Sequence, residues 1–292
     1  QAFGGNPLAV VFGVEGLSTD QLQKIAFEFN YSETTFVLPP QDPANTAQVR
    51  IFTPGYEMPF AGHPNVGTGF VLARLGTLFG QALGDHMVFE EIAGLVAVDI
   101  LRDDERNPIG ARIAAPKLPG QPTVIDTELV ARAIGLAVDD FDLDLDPPIL
   151  LEAGPSFILA ALKSHEALKR AQVIDTSVVF PGDLAQKGVG VLLHCRIGAG
   201  DPLPMATRML ALDSAMSGLT EDPATGSASA ILAAYMHRRA DDQPQRLHIT
   251  QGVEMGRPST IETEMVLTPD GQQKHAAIAG QCVAMMEGKL LI

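Results

Sequence analysis

The chain has 292 residues, 46% of them hydrophobic, and its 20 Lys and Arg against 35 Asp and Glu give a formal net charge of −15. That supplies apolar material for a large core and length for two domains, while the charge and a pI near 4.8 exclude the basic stripe that nucleic acid or an anionic membrane requires. Two cysteines, Cys195 and Cys282, make neither a disulfide framework nor a cysteine zinc site, so a reducing cytoplasm is the expected setting.

The most apolar stretch, 148–162, is broken by Glu152, Gly154 and Pro155, and no transmembrane helix is expected. The chain opens at Gln1 and enters a strand-like run at once, which suggests a segment missing upstream. Runs rich in β-branched residues predict strands over 8–12, 34–38, 47–52, 87–90 and 95–101. Between the first two, Ser18-x-x-Gln21 is a capping box opening a helix over 18–30, with Leu22, Ile25 and Ala26 on one face. Residues 116–122, with three prolines and a glycine, read as a linker that divides domains 1–116 and 117–286, the last strand, 287–292, returning to the first. A helix starts near Asp126, with Leu129, Val130, Ala133 and Ile134 in helical register, and strands are predicted over 149–152, 157–161, 190–195, 246–249, 259–267 and 276–286. The five aspartates of 139–146 read as a solvated loop, since EF-hand spacing is lacking. The elements mix without βαβ alternation, and no GxGxxG or P-loop opens a helix, which disfavours a dinucleotide or ATP fold. An α+β fold of two domains is expected.

Residues 221–228, EDPATGSA, have a weaker copy in residues 62–69, GHPNVGTG, 159 positions earlier. Each sets a polar side chain, His63 or Asp222, before a proline and runs through a glycine turn into an amphipathic helix. Val66, Gly69, Phe70 and Ala73 form one stripe, and Ala228, Ile231, Leu232 and Tyr235 the other. Unpaired N–H groups at such helix starts suit a carboxylate or phosphate.

Glu33, in the run YSETTF at 31–36, is a lone carboxylate at an element end among apolar neighbours. Buried, it would have a pKa suited to general acid/base work; unburied, it is a surface glutamate. His63 and Asp222 would flank the same cleft if the halves face each other, although a histidine before proline is commonly structural. Ser227 stands at a helix start, where serine more often caps or binds an anion than attacks. No HxxxH, CxxC or GxSxG occurs, so neither a catalytic metal nor nucleophilic hydrolysis is expected. Arg50 and Arg257 suit either a substrate carboxylate or structural acids.

The series GNPLAVV (5–11), YSETTF (31–36), RIFTP (50–54), EMPFAGHPNVG (57–67), EDPATGSAS (221–229) and QGVEMGRPS (251–259) resembles the PhzF-like phenazine-biosynthesis family. The resemblance implies a diaminopimelate-epimerase-like fold, with two pseudo-symmetric domains, each a β-sheet wrapped around a central helix. It further implies a homodimer without cofactor or metal, acting on a small carboxylate-bearing substrate. It assigns Glu33 as acid/base, His63, Asp222 and Ser227 as site residues, and Gly62 and Gly226 as backbone contacts to substrate. Epimerases of this superfamily use two facing cysteines; here Ala61 and Ala224 lie in those neighbourhoods, which points to an isomerase with one principal base. A non-catalytic binding protein and a cysteine-independent epimerase are the alternatives. Tyr31, Met205 and Met216 are candidate pocket walls.

Overall fold

The structure is a computed structural model that describes residues 2–115, 118–153, 155–175, 178, 190–212, 220–240, 246–267 and 274–291. In chain order the first half comprises β1 (Leu8–Val11), α1 (Thr19–Phe29), β2 (Glu33–Leu38), β3 (Ala47–Phe52), β4 (Glu57–Met58), α2 (Gly62–Leu75), the hairpin β5 (Thr77–Leu78) and β6 (Gln81–Ala82), β7 (His86–Glu91), β8 (Gly94–Arg102) and β9 (Pro108–Ala114). The second comprises β10 (Thr123–Val124), α3 (Thr127–Ile134), β11 (Ile149–Glu152), β12 (Ser156–Ala161), α4 (His165–Arg170), β13 (Gly190–Arg196), β14 (Leu203–Ala211), β15 (Glu221–Asp222), α5 (Gly226–Arg239), β16 (Leu247–Gln251), β17 (Ser259–Leu267) and β18 (Lys274–Gln281).

Strand pairing repeats. β1 and β2 are parallel, β2 and β3 antiparallel, β3 and β7 parallel, and β7, β8 and β9 follow antiparallel. β12, β13, β14, β16, β17 and β18 reproduce that sequence of orientations, and β4 and β15 add to β3 and β14 alike. β9 and β18 pair antiparallel and join the halves. Ile113 lies opposite Ile278 there, and each pairs with the equivalent residue of its own half, Val98 or Thr263. The pseudo-twofold axis therefore passes between these two isoleucines. At the same seam a side chain on Gly110 would run into the Gly280 carbonyl, so glycine permits the close strand approach.

The repeat extends to side chains. Arg50 Nε and Nη2 each donate to Glu57 at 2.7 Å, and Arg208 Nε and Nη2 donate to Glu221 at 2.8 and 2.7 Å. Two bidentate pairs thus brace the β3–β4 and β14–β15 hairpins that lead into α2 and α5. Arg208 also donates through Nη1 to the Leu168, Lys169 and Ala171 carbonyls, closing the C-terminal end of α4. These pairs correct the spacing read from the sequence: Gly62 and Gly226 open the twin helices, 164 positions apart, so His63 is the counterpart of Ser227, and Asp222 that of Met58.

The capping box of α1 forms as expected, with Gln21 N donating to Ser18 Oγ at 3.3 Å and Ser18 N to Gln21 Oε1 at 2.9 Å. Asn30 ends the helix at φ 51°, a left-handed conformation asparagine tolerates. The helices α2 and α5 differ from expectation. They are buried nearly all round rather than on one stripe, because each sheet wraps its helix, and the principal apolar cluster takes residues from both.

Other differences are local. The strand expected over 276–286 ends at Gln281, and residues 282–291 carry no strand where a closing one was expected over 287–292, of which residue 292 is outside the described residues. Residues 116 and 117 of the linker are likewise outside them. Among the described residues, no helix is long and apolar enough to cross a membrane.

Candidate active site

Both central helices point their first turns at one place. A methyl carbon on Gly62 would sit 2.8 Å from Ile278 Cδ1 and 3.1 Å from Gly226 Cα and from Ser227 N. Only glycine on both sides lets the helix starts meet, and their positive ends converge.

Glu33 begins β2 opposite Leu8 of β1. Its side chain is 16% exposed, and Oε2 is buried without a hydrogen-bond partner. Loss of hydration raises its pKa to about 7, a rise partly opposed by the Ser32 hydroxyl. His63, in the first turn of α2, places Nδ1 3.4 Å from Glu33 Oε2, a long contact that closes to a hydrogen bond with a small shift. Burial lowers this imidazole to about 4 against the attraction of Asp222, so it is neutral at pH 7. Asp222, on β15, rises to about 6 through burial and then repulsion from Glu33, while His63, Thr225 and Asn6 pull it down.

Asn6 joins these groups. Its Nδ2 donates to Asp222 Oδ1 at 2.7 Å and lies 3.3 Å from both His63 Nδ1 and the Ala224 carbonyl, while Oδ1 accepts from Ser32. The other ring nitrogen of His63, Nε2, is buried and unpartnered. Asn6 is itself held by the second half: Gly5, at φ 70°, donates to the Pro258 carbonyl, and Arg257 Nε donates to the Gly5 carbonyl at 2.8 Å. Arg257 therefore fixes a loop rather than a carboxylate, and Arg50 is committed to Glu57.

Asp222 is braced from below. Thr225 Oγ1 donates to Oδ2 at 2.5 Å, and the fully buried Gln251 donates to the Asp222 carbonyl at 2.7 Å and to Thr225 Oγ1 at 3.0 Å. Sequence reasoning missed Asn6, Ser32, Thr225 and Gln251 as site residues. Asn6 had a usable signal, an amide fixed between a glycine and a proline; Gln251 had none before register was known.

The structure thus gathers Glu33, His63 and Asp222, with Gly62, Gly226 and Ser227 at the meeting helix starts. Tyr31 stacks on Phe29 at 6.0 Å between centroids. Met205 lies in the core rather than on a pocket wall, and Met216 is outside the described residues. A cavity of about 590 Å³ at β3, β7 and β8 is lined by Arg50, Glu57, Glu90 and Glu91, not by the Glu33 cluster; converging chemistry, rather than cavity size, locates the site.

The family model for phenazine biosynthesis-like proteins matches residues 1–288. The chain belongs to that family. It is 37% identical to an uncharacterized isomerase of Mesorhizobium japonicum, covering all of this chain and 95% of the relative. It is 33% identical to the trans-2,3-dihydro-3-hydroxyanthranilate isomerase of Pseudomonas chlororaphis, over 99% and 94%. A Bacillus anthracis family structure superposes with a TM-score of 0.81 at 26% identity, covering 99% of this chain and 94% of that one. Fold and enzyme class follow: a diaminopimelate-epimerase-like fold carrying an isomerase.

The two halves of the fold carry different residues at the position of Glu33. Arg50 lies opposite Phe36 and Arg208 opposite Leu193; counting back along β2 and β13 sets Glu33 against Gly190. Cys195, raised to about 11, and Cys282, raised to about 12 by burial, remain thiols at neutral pH.

Proposed function

We propose that the chain is a cofactor-independent isomerase that carries a proton between carbons of a small carboxylate-bearing substrate, with Glu33 as the acid/base. The observation that carries this reading is the asymmetry of the twin positions, a buried carboxyl with a pKa of about 7 against the bare Gly190. One base that removes a proton and stays beside the same face of the substrate can return it to another carbon, whereas inversion at one carbon is commonly served by two groups on opposite faces.

In this mechanism the ionised Glu33 takes a proton from an activated C–H and, as the acid, delivers it elsewhere on the substrate. The N–H groups at Gly62 and Gly226 and the helix fields behind them hold the carboxylate and stabilise charge developing during proton removal. His63 and Asp222 orient polar groups of the substrate, and Ser227 donates from the facing helix. The dihydro-hydroxyanthranilate relative suits this chemistry because its named substrate carries a carboxylate.

The test is proton NMR in D₂O with a panel of cyclic and acyclic amino- and hydroxy-carboxylates. Wild type is expected to remove a proton from one carbon of a substrate and place solvent deuterium on another, and Glu33→Gln to lose roughly 10²–10⁴-fold of that rate while remaining folded. Full activity in the variant defeats the Glu33 assignment, and exchange with inversion at one carbon makes the protein an epimerase. The same reading carries a homodimer: sedimentation is expected to give twice the 31.0 kDa of the chain.

A further inference from the structure

Both oxygens of Glu91 are buried without a partner, as is Oδ1 of Asn65. Asn65 faces Glu91 and lies fully buried in the first turn of α2, its Nδ2 donating to the Ala61 carbonyl at 3.0 Å. Leaving a buried carboxylate and amide oxygen unpaired side by side is costly. A carboxylic acid removes the cost, because its O–H can meet Asn65 Oδ1.

The internal repeat says what this position does. Gln48 pairs with Glu90 and Ala206 with Thr250, two residues before Arg50 and Arg208, so the next residues along β7 and β16, Glu91 and Gln251, are counterparts. Gln251 ties the approach to α5, holding the Asp222 carbonyl and Thr225. In the first half the approach to α2 has Ala61 in place of Thr225, with no hydroxyl to hold, and Asn65 takes the polar role. A protonated carboxyl has the shape and the donor-plus-acceptor character of a glutamine amide.

We propose that Glu91 is a positioning residue that stays protonated in the folded protein and, as the neutral counterpart of Gln251, hydrogen-bonds Asn65 to fix the first turn of α2 and the aim of His63. The charged groups lining the same region are Arg50 on β3, Glu57 on β4, Glu90 on β7 and Asp42 in the loop before β3. Arg50 is committed to Glu57, and Glu90 accepts from Gln41, Asp42 and Asn45, so among the described residues lining this region no free cation is left to stabilise a Glu91 carboxylate. Burial raises this acid to about 8, against the pull of Asn65, whose hydrogen bond favours the carboxylate. The link to His63 rests on the acid/base reading above; the protonation of Glu91 does not.

The experiment compares wild type, Glu91→Gln and Glu91→Ala by thermal midpoint from pH 5 to 9.5 and by exchange rate over the same range. Because the folded-state pKa lies above the unfolded value of 4.5, the folded wild type binds the extra proton between those values. The midpoint of Glu91→Gln should therefore gain on wild type as pH rises to about 8 and then hold a constant lead. A lead that does not vary with pH overturns the protonation claim, whatever the protein catalyses. For activity, Glu91→Ala should fall about tenfold, the scale of one lost buried hydrogen bond. Glu91→Gln should restore that loss and abolish the decline that wild type shows above pH 8. A Gln variant as impaired as the Ala variant, with the pH-dependent lead intact, removes the link to His63 and leaves the protonation standing.

Discussion

Three buried ionisable side chains within reach of one another cannot all carry charge, and their environments sort them. At pH 7 His63 is neutral, Asp222 mostly ionised and Glu33 close to half ionised, since their values fall near 4, 6 and 7. If Glu33 begins the cycle as a base, kcat/KM should rise with pH through about 7 and stop rising where Glu91 ionises, near 8; a profile flat from about pH 6 to 8 argues against Glu33 as the titrating group. Asn6 keeps the cluster in order by donating to Asp222 and by packing its amide 3.3 Å from His63 Nδ1. Asn6→Asp preserves the shape but sets an acceptor against the Asp222 carboxylate. Relative to wild type at the same pH, activity should drop about 10²-fold at pH 8 through like-charge repulsion, with part of that ratio recovered near pH 5 as the acids protonate. A uniform loss at every pH would show that the shape of Asn6 matters and its donors do not.

At the scale of elements, what the sequence revealed depended on whether the cue was local. The capping box of α1 and the β-branched runs of β2, β3 and β13 are legible because the residues that form them are neighbours. β14 was overlooked since Pro202 and Pro204 break its start, β9 since it begins at Pro108 and contains Gly110, and α4 since six residues show too little periodicity. The twin relation between Glu91 and Gln251 exists only in the register of β3 with β7 and of β14 with β16. Candidate residues on motifs, Glu33, His63 and Asp222, were visible; their bridges were not, because Asn6 meets Asp222 across 216 residues of chain. The meeting of α2 and α5 yields an element-scale test. Gly62→Ala puts a methyl 2.8 Å from Ile278 Cδ1 and 3.1 Å from Gly226 Cα, which should cost about 1–3 kcal/mol by overpacking. Since the helix starts must part, activity should fall further than stability. Adding Ile278→Val relieves the flexible contact but not the backbone one, so it should restore melting temperature more than turnover.

For the whole molecule, burial of ionisable groups sets how stability follows pH. Glu33, Glu91 and Asp222 have folded-state values raised to about 7, 8 and 6, so each binds a proton in the folded state that the unfolded chain has released, and each lowers stability as pH climbs through its window. His63 and His194, both lowered to about 4, act in the opposite sense: the unfolded chain holds their protons up to about 6.5, and stability gains as pH rises to that point. Below 6.5 the two sets largely cancel. Above it the histidines are spent, Asp222 has titrated, and only Glu33 and Glu91 remain. Stability to urea should accordingly change little from pH 5 to 6.5, then fall by roughly 1–3 kcal/mol up to pH 8, from about 1.4 kcal/mol per pH unit for each group. Glu33→Gln and Glu91→Gln together should flatten that decline while leaving the slope below 6.5 more positive than in wild type. A double variant that still loses stability between 6.5 and 8 would place the titrating groups elsewhere than Glu33 and Glu91.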